Sequence, residues 1–270
     1  MRGISTESVA AGQERLETLL ASAGTDAAAL GDDLFTVTDV LAANPALRRA
    51  LTDPARDGQA KAALVERIFT GRVSGEAVDV LAGLARSRWS RAGDLTDAVE
   101  QYGVSAVLAA ADRAGRLDAV EDELFRFART IEGDQGLRDA FSQRTAGPDR
   151  KSDLVRTLLQ GRAAPETIRL GIQAAAHPRG LRTAQVIEQY VQAAAQRRQQ
   201  VVAHVVAATP LTTEQRARLE AALQRRYGRV RLNIDVDPSV LGGIRIQVHS
   251  ELVDGTVTTR LDEARRRMAG

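Results

Sequence analysis

Residues 32–78 of this chain return, without a gap, as residues 122–168, and any fold must accommodate both copies. Asp32-Asp33-Leu34-Phe35 answers to Asp122-Glu123-Leu124-Phe125, and Leu47-Arg48-Arg49-Ala50-Leu51 to Leu137-Arg138-Asp139-Ala140-Phe141. Lys61, Leu64, Val65, Gly71, Arg72 and Glu76 match Lys151, Leu154, Val155, Gly161, Arg162 and Glu166. Twelve of the 47 positions are identical, and one of the pairs holds the only two lysines of the chain. Coincidence among Ala-, Arg- and Leu-rich helices explains that less well than duplication does. After a shift of two residues, Glu100-Gln101-Tyr102 meets Glu188-Gln189-Tyr190. An offset of 90 is too long for a solenoid repeat and suits a small domain.

The repeated part reads as helical from about residue 10 to 198. Val78, Leu81, Ala82, Ala85 and Trp89 fall on one helical face, and Leu95, Val99, Tyr102 and Ala106 do so in the next segment. Breaks are expected at Gly24, Asn44-Pro45, Asp53-Pro54, Gly71 and Ala92-Gly93, leaving segments short enough for compact bundles. The expectation is one helical bundle over 1–102 and its copy over 103–197. Trp89 faces Arg179 in the second copy, so the two copies do not present identical surfaces.

The pattern changes near Arg198. Val201, Ala203, Val205 and Ala207 suggest a strand ending before Pro210, and Thr212 with Gln215 forms a capping box for a helix carrying Leu219, Ala222, Leu223 and Tyr227 on one face. Val230, Leu232, Ile234 and Val236 then alternate with polar residues, Asp237-Pro238 stops that strand, and Gly242-Gly243 lets the backbone turn into Ile244, Ile246 and Val248. Asp254-Gly255-Thr256 is expected to start a closing helix striped by Val257, Leu261, Ala264 and Met268. The predicted class is α+β and mostly α: two tandem helical bundles, then a small β-sheet domain with covering helices over 198–270.

The order D-P-S-V-L-G-G-I-R-I-Q-V followed by L-V-D-G-T-V-x-x-R-L resembles the carboxyl-terminal signature of the delta subunit of F-type ATP synthases, the family of the oligomycin-sensitivity-conferring protein. His249-Ser250 stands where the family often has a Gly-Asp turn. The resemblance marks Asp237, Gly242, Gly243, Asp254, Gly255 and Arg260 as family-motif positions with structural or partner-contact roles. It implies a non-catalytic stator on the cytoplasmic face of the cell membrane, joining the catalytic head to the peripheral stalk. The implied partners are the amino-terminal helix of an alpha subunit and a b-type stalk subunit. The usual family pattern has one bundle joined to the β-containing domain. Here the second copy makes that connection, so it is the one expected to keep the alpha contact; Trp89, in the first copy alone, argues the other way.

Composition excludes several alternatives. With no cysteine there are no disulfides or thiolate metal sites. A formal charge of +2 turns the high isoelectric point of about 9.4 into a small excess rather than a basic face, and aromatics at 3% do not interleave with cations as nucleic-acid surfaces require. The run Gln199–Thr213 is too short to span a bilayer, so no membrane insertion is expected. His177, His204 and His249 share no ligand spacing, and there is no P-loop, H-E-x-x-H or G-x-S-x-G, so no catalytic residue, metal or cofactor is expected. Asp32-Asp33 and Asp122-Glu123 read as helix-start acids rather than a catalytic pair.

Overall fold

The computed structural model describes residues 4–22, 24–143, 146–198, 201–227, 230–237, 243–248 and 251–254. They divide between two compact units: residues 1–20 and 24–197 belong to the first, and residues 198–270 to the second.

The first unit holds the helices α1 (Ile4–Ala21), α2 (Ala27–Ala43), α3 (Pro45–Thr52), α4 (Gly58–Phe69), α5 (Gly75–Arg86), α6 (Ala92–Arg113), α7 (Leu117–Gly133), α8 (Gln135–Ser142), α9 (Pro148–Leu159), α10 (Pro165–Ala176) and α11 (Thr183–Arg198). Both boundaries of α2, α3, α4 and α5 recur in α7, α8, α9 and α10 displaced by 90 residues. Local chemistry sets these ends. Asp26 and Asp57 cap α2 and α4 by accepting backbone N–H bonds, while Pro148 and Pro165 open α9 and α10, where a missing N–H costs nothing. Gly71 and Gly161 take the same left-handed conformation, φ 77° and 73°, after α4 and α9.

The two copies share a helix. Tyr102 at the middle of α6 donates its hydroxyl to the Val9 carbonyl of α1 at 2.6 Å. Tyr190 of α11 donates to Glu100 Oε1 of α6 at the same 2.6 Å. Thus α6 closes the first bundle and opens the second. Its faces are divided accordingly: Leu95, Val99, Tyr102 and Ala106 enter the first core, and Val104, Val107, Leu108 and Ala111 enter the second. The sequence boundary expected at 102/103 falls inside this continuous helix. A helix apolar on two sides needs a partner on each.

The expected break at Ala92-Gly93 lies one element earlier. The chain leaves α5 at Arg86 and α6 starts at Ala92. Trp89 sits in that connection, buried, with its indole N–H donated to the Leu84 carbonyl at 2.9 Å, so it caps the core of its own bundle.

In the second unit, β1 (Val201–Ala207), α12 (Thr213–Tyr227), β2 (Val230–Val236), β3 (Ile244–Val248) and β4 (Glu251–Asp254) build a four-stranded sheet ordered β2-β1-β3-β4. Strands β1 and β2 pair in parallel through the α12 crossover, and β3 and β4 complete the sheet in antiparallel pairs. The Thr212–Gln215 capping box forms reciprocally at 2.9 and 3.2 Å. Ala203, Val205, Leu223, Val230, Leu232, Ile246 and Val248 make the core, with Leu219 at its margin. Ala222, expected on the same face, is exposed, because the helix turns a narrower stripe to a small sheet. Asp254, expected to begin a helix, ends β4 opposite Arg245. The closing-helix positions Val257, Leu261, Ala264 and Met268 lie outside the described residues.

Candidate helix-binding groove

Acidic pairs at the repeat positions do structural work between helices. Asp33 Oδ2 accepts the Ser74 N–H at 2.8 Å, and Glu123 Oε2 accepts the Ala164 N–H at 2.9 Å, the same contact 90 residues on. Each acid lies within α2 or α7 and serves the N-terminus of α5 or α10. Reading them as helix-start acids therefore needs correcting: the helix start they favour belongs to another helix. Glu123 also accepts the Thr167 hydroxyl at 2.5 Å. Lys61, buried, donates to the Ser87 carbonyl at 3.1 Å.

The most polar interior lies where the copies meet. Glu100 is fully buried; Arg179 Nε stands 2.8 Å from its Oε2 and Tyr190 donates to its Oε1. Burial pushes the Glu100 carboxyl above the ordinary range, opposed by Arg179, Tyr190 and Gln173. His177 Nε2 lies 2.6 Å from Asp39 Oδ1, and that hydrogen bond raises the imidazole pKa against the effect of burial. Burial also raises the phenols of Tyr102 and Tyr190. These groups are committed to one another in a packed junction. Among the described residues, no set of His, Cys, Asp and Glu could hold a metal ion.

An open groove lies between α1 and α5. A cavity of about 250 Å³ is lined by Gly12, Arg15 and Leu19 on one wall and by Val80, Gly83 and Leu84 on the other, with Tyr102 beneath. The glycines make the cleft. A Cβ on Gly12 would run into the Tyr102 hydroxyl, and one on Gly83 would lie 3.5 Å from the Arg15 guanidinium. The lining is apolar apart from Arg15, Asp79 and Ser87. Such a surface suits the apolar stripe of a helix, and offers nothing to activate a reacting group. A second cleft of about 540 Å³, between α8 and the connection into α11, mixes Arg138, Lys151 and Arg182 with Glu132 and Asp139 around Phe141 and Leu181.

The family-motif positions all belong to the second unit. Asp237 follows β2, and its N–H donates to the Ala207 carbonyl at 2.9 Å, extending the β1–β2 ladder. Gly243 has φ 88°, the left-handed turn conformation expected before β3. Asp254 ends β4, while Gly242, Gly255 and Arg260 lie outside the described residues. No motif pointed to Gly12 or Gly83. The available signal was a glycine within each of two amphipathic helices, where it weakens the helix unless something must come close.

The description "ATP synthase delta (OSCP) subunit" belongs to a family model that matches residues 99–268. That match starts inside α6 and takes in the second copy and the sheet. Three relatives named ATP synthase subunit delta align over nearly the whole chain. The Kineococcus radiotolerans protein is 50% identical over 269 residues, 99% of this chain and 98% of its own. The Streptomyces griseus protein is 47% identical over 271 residues, and the Thermobifida fusca protein 41% over 271, each covering 100% of both chains.

Proposed function

The chain belongs to the ATP synthase delta (OSCP) subunit family, and from that premise we propose that it joins the catalytic head of an F-type ATP synthase to the peripheral stalk. It is a peripheral-stalk subunit, and it works by holding, with no chemistry of its own. Load on a stator calls for slow dissociation, which large apolar contacts supply better than exposed ion pairs. On this reading it sits peripherally at the cytoplasmic face of the membrane. Among the described residues, no helix is long and apolar enough to cross a bilayer, which agrees.

The observation that carries the reading is the groove between α1 and α5, apolar, glycine-floored and helix-sized. It receives the amino-terminal helix of an alpha subunit. This favours the first copy over the second, although only the second connects directly to the sheet-containing unit. The second unit meets a b-type stalk subunit, with Asp237, Gly242, Gly243, Asp254, Gly255 and Arg260 fixing the turns and strand ends that shape its surface. The working division is then the first copy through residue 102, the second over 103–197, and the stalk-facing part over 198–270.

Affinity isolation of the tagged chain from detergent-solubilised membranes tests the assembly: alpha and b-type subunits should come with it. Crosslinking from Leu19 or Val80 should reach the alpha amino terminus. Recovery of the chain without either subunit would refute the reading.

A further inference from the structure

The groove described above has a counterpart in the second copy, between α6 and α10, and the two are not in the same state. The 90-residue offset carries Asp79, Gly83 and Ser87 of the first copy onto Arg169, Gln173 and His177 of the second. In the first copy those three residues line an open cavity. In the second, a helix lies across them. Asp32 Oδ1 stands 3.1 Å from Arg169 Nε, and Asp39 Oδ1 stands 2.6 Å from His177 Nε2. Phe35, between those acids on α2, is buried in the core of the second copy. Asp32, Phe35 and Asp39 are spaced i, i+3, i+7, the anchor pattern of a helix laid into a groove.

The opposite wall fits the same description. A Cβ on Gly103 of α6 would come within 2.6 Å of the Phe35 ring, and a Cβ on Gly31 of α2 would come within 2.6 Å of Val107. So α2 presses on α6 where α6 lacks a side chain, just as α1 carries Gly12 at its own groove. Gln173 is only 5% exposed, whereas a Cβ at Gly83 would meet nothing but Arg15 within 4 Å.

We infer that the second copy's groove is filled in cis by α2, so that each chain offers one helix-accepting groove, not two. This rests on the reading that the α1–α5 groove takes a partner helix, and it adds the number of sites and the shape of the occupant. In the second copy, α7 repeats the docking face of α2, with Asp122 and Phe125 in place of Asp32 and Phe35. No third copy precedes it to be covered: Phe125 is 52% exposed. The open groove does not match that spare face. Asp79 stands where Arg169 accepts an acid, and Asp79 would repel Asp122. The partner for the open groove is therefore an amphipathic helix with a basic residue facing Asp79 and an acidic one facing Arg15.

The full-length chain tests this in two ways. Calorimetric titration with the alpha amino-terminal peptide should give one site per chain, and Gly83→Trp, an exposed-face change, should remove it. Two sites in the parent chain, or one surviving in Gly83→Trp, would overturn the inference. The second measurement needs no ligand. Because the chain has no cysteine, single thiols at Gly83→Cys and Gln173→Cys can be labelled with a maleimide. Labelling at 83 should be at least about a hundredfold faster than at 173, and adding Phe35→Ala with Asp39→Ala should speed only the latter. Equal rates at 83 and 173, or no response to the α2 changes, overturns the inference whatever the peptide does. Absence of any peptide binding together with the labelling asymmetry would sink the partner assignment and leave the filled groove standing.

Discussion

Gly31→Ala tests the closeness of α2 and α6. An alanine in a helix interior is ordinarily better than glycine by about 0.8–1.0 kcal/mol, so the naive expectation is stabilisation. At this position the new Cβ would lie 2.6 Å from Val107 Cγ2, and 3.3 Å from both the Gly103 carbonyl oxygen and the Val107 nitrogen. Two of those atoms are backbone, and Val107 is fully buried, so α2 itself must shift. Overpacking of that kind costs roughly 1–3 kcal/mol, which outweighs the propensity gain and leaves about 1 kcal/mol of net destabilisation. In a unit of this size that lowers Tm by about 2–4 °C. Gly93→Ala is the control: it lies in α6 too, exposed, and a Cβ there meets nothing within 4 Å. Scanning calorimetry on both variants should move Gly31→Ala down while Gly93→Ala holds or rises. If Gly31→Ala were as stable as the parent chain, the two helices would not be in glycine-mediated contact.

Three other outcomes are expected. His177 has its pKa raised by the Asp39 hydrogen bond, with Glu100 and Arg179 also facing it, so its contribution is complete below the ordinary imidazole range and lost as pH rises through the raised value. The Tm gap between the parent chain and His177→Gln should therefore shrink between about pH 5.5 and about pH 8.5; a gap that widens would reverse the assignment. Arg179→Ala removes the cation beside buried Glu100 and should cost roughly 3–5 kcal/mol, measured by denaturant unfolding, with the loss smaller at acidic pH where the carboxyl is neutral. Leu223→Asp buries a carboxylate in the sheet core and should abolish the cooperative unfolding of the second unit while leaving the helical unit's transition in place; retention of both transitions would show that α12 does not cover the sheet.

Much of the architecture was written in local patterns. The β1, β2 and β3 alternation, the Thr212–Gln215 box and the repeat from Asp32 to Val78 each depend on near neighbours or on an exact offset. What could not be read was anything set by two apolar faces on one helix. The residues of α6 show a single periodic stripe from Leu95 to Ala106, and the second stripe, Val104-Val107-Leu108-Ala111, looks like a continuation of it until α10 and α11 are in place. The groove was invisible for a related reason. It is defined by the absence of side chains at Gly12 and Gly83, on helices 71 residues apart in sequence. The motif positions had the opposite property: Asp237 and Gly243 announce turns, which is why they were legible and why they mark strand ends rather than a pocket.

Position 89 and its repeat, position 179, show how a duplicated sequence acquires two roles. Trp89 turns inward and seals the first bundle against Leu84, a local task that needs volume. Arg179 cannot fill that volume. It has φ 49°, and its guanidinium reaches α6, 2.8 Å from Glu100 and 3.5 Å from Asp97. A buried carboxylate would be costly on any isolated bundle, since burial without a counter-charge disfavours the ionised form. Glu100 therefore belongs to the junction rather than to either copy, and α6 could carry it only once a second bundle supplied Arg179 and Tyr190. The same junction holds α10 beside α2 through Arg169 and His177. One substitution class, cation for aromatic or acid, thus separates a bundle whose groove is open from one whose groove is closed by its neighbour. The copies stay homologous in every helix boundary from α2 to α5 and still differ in what they leave available to a partner.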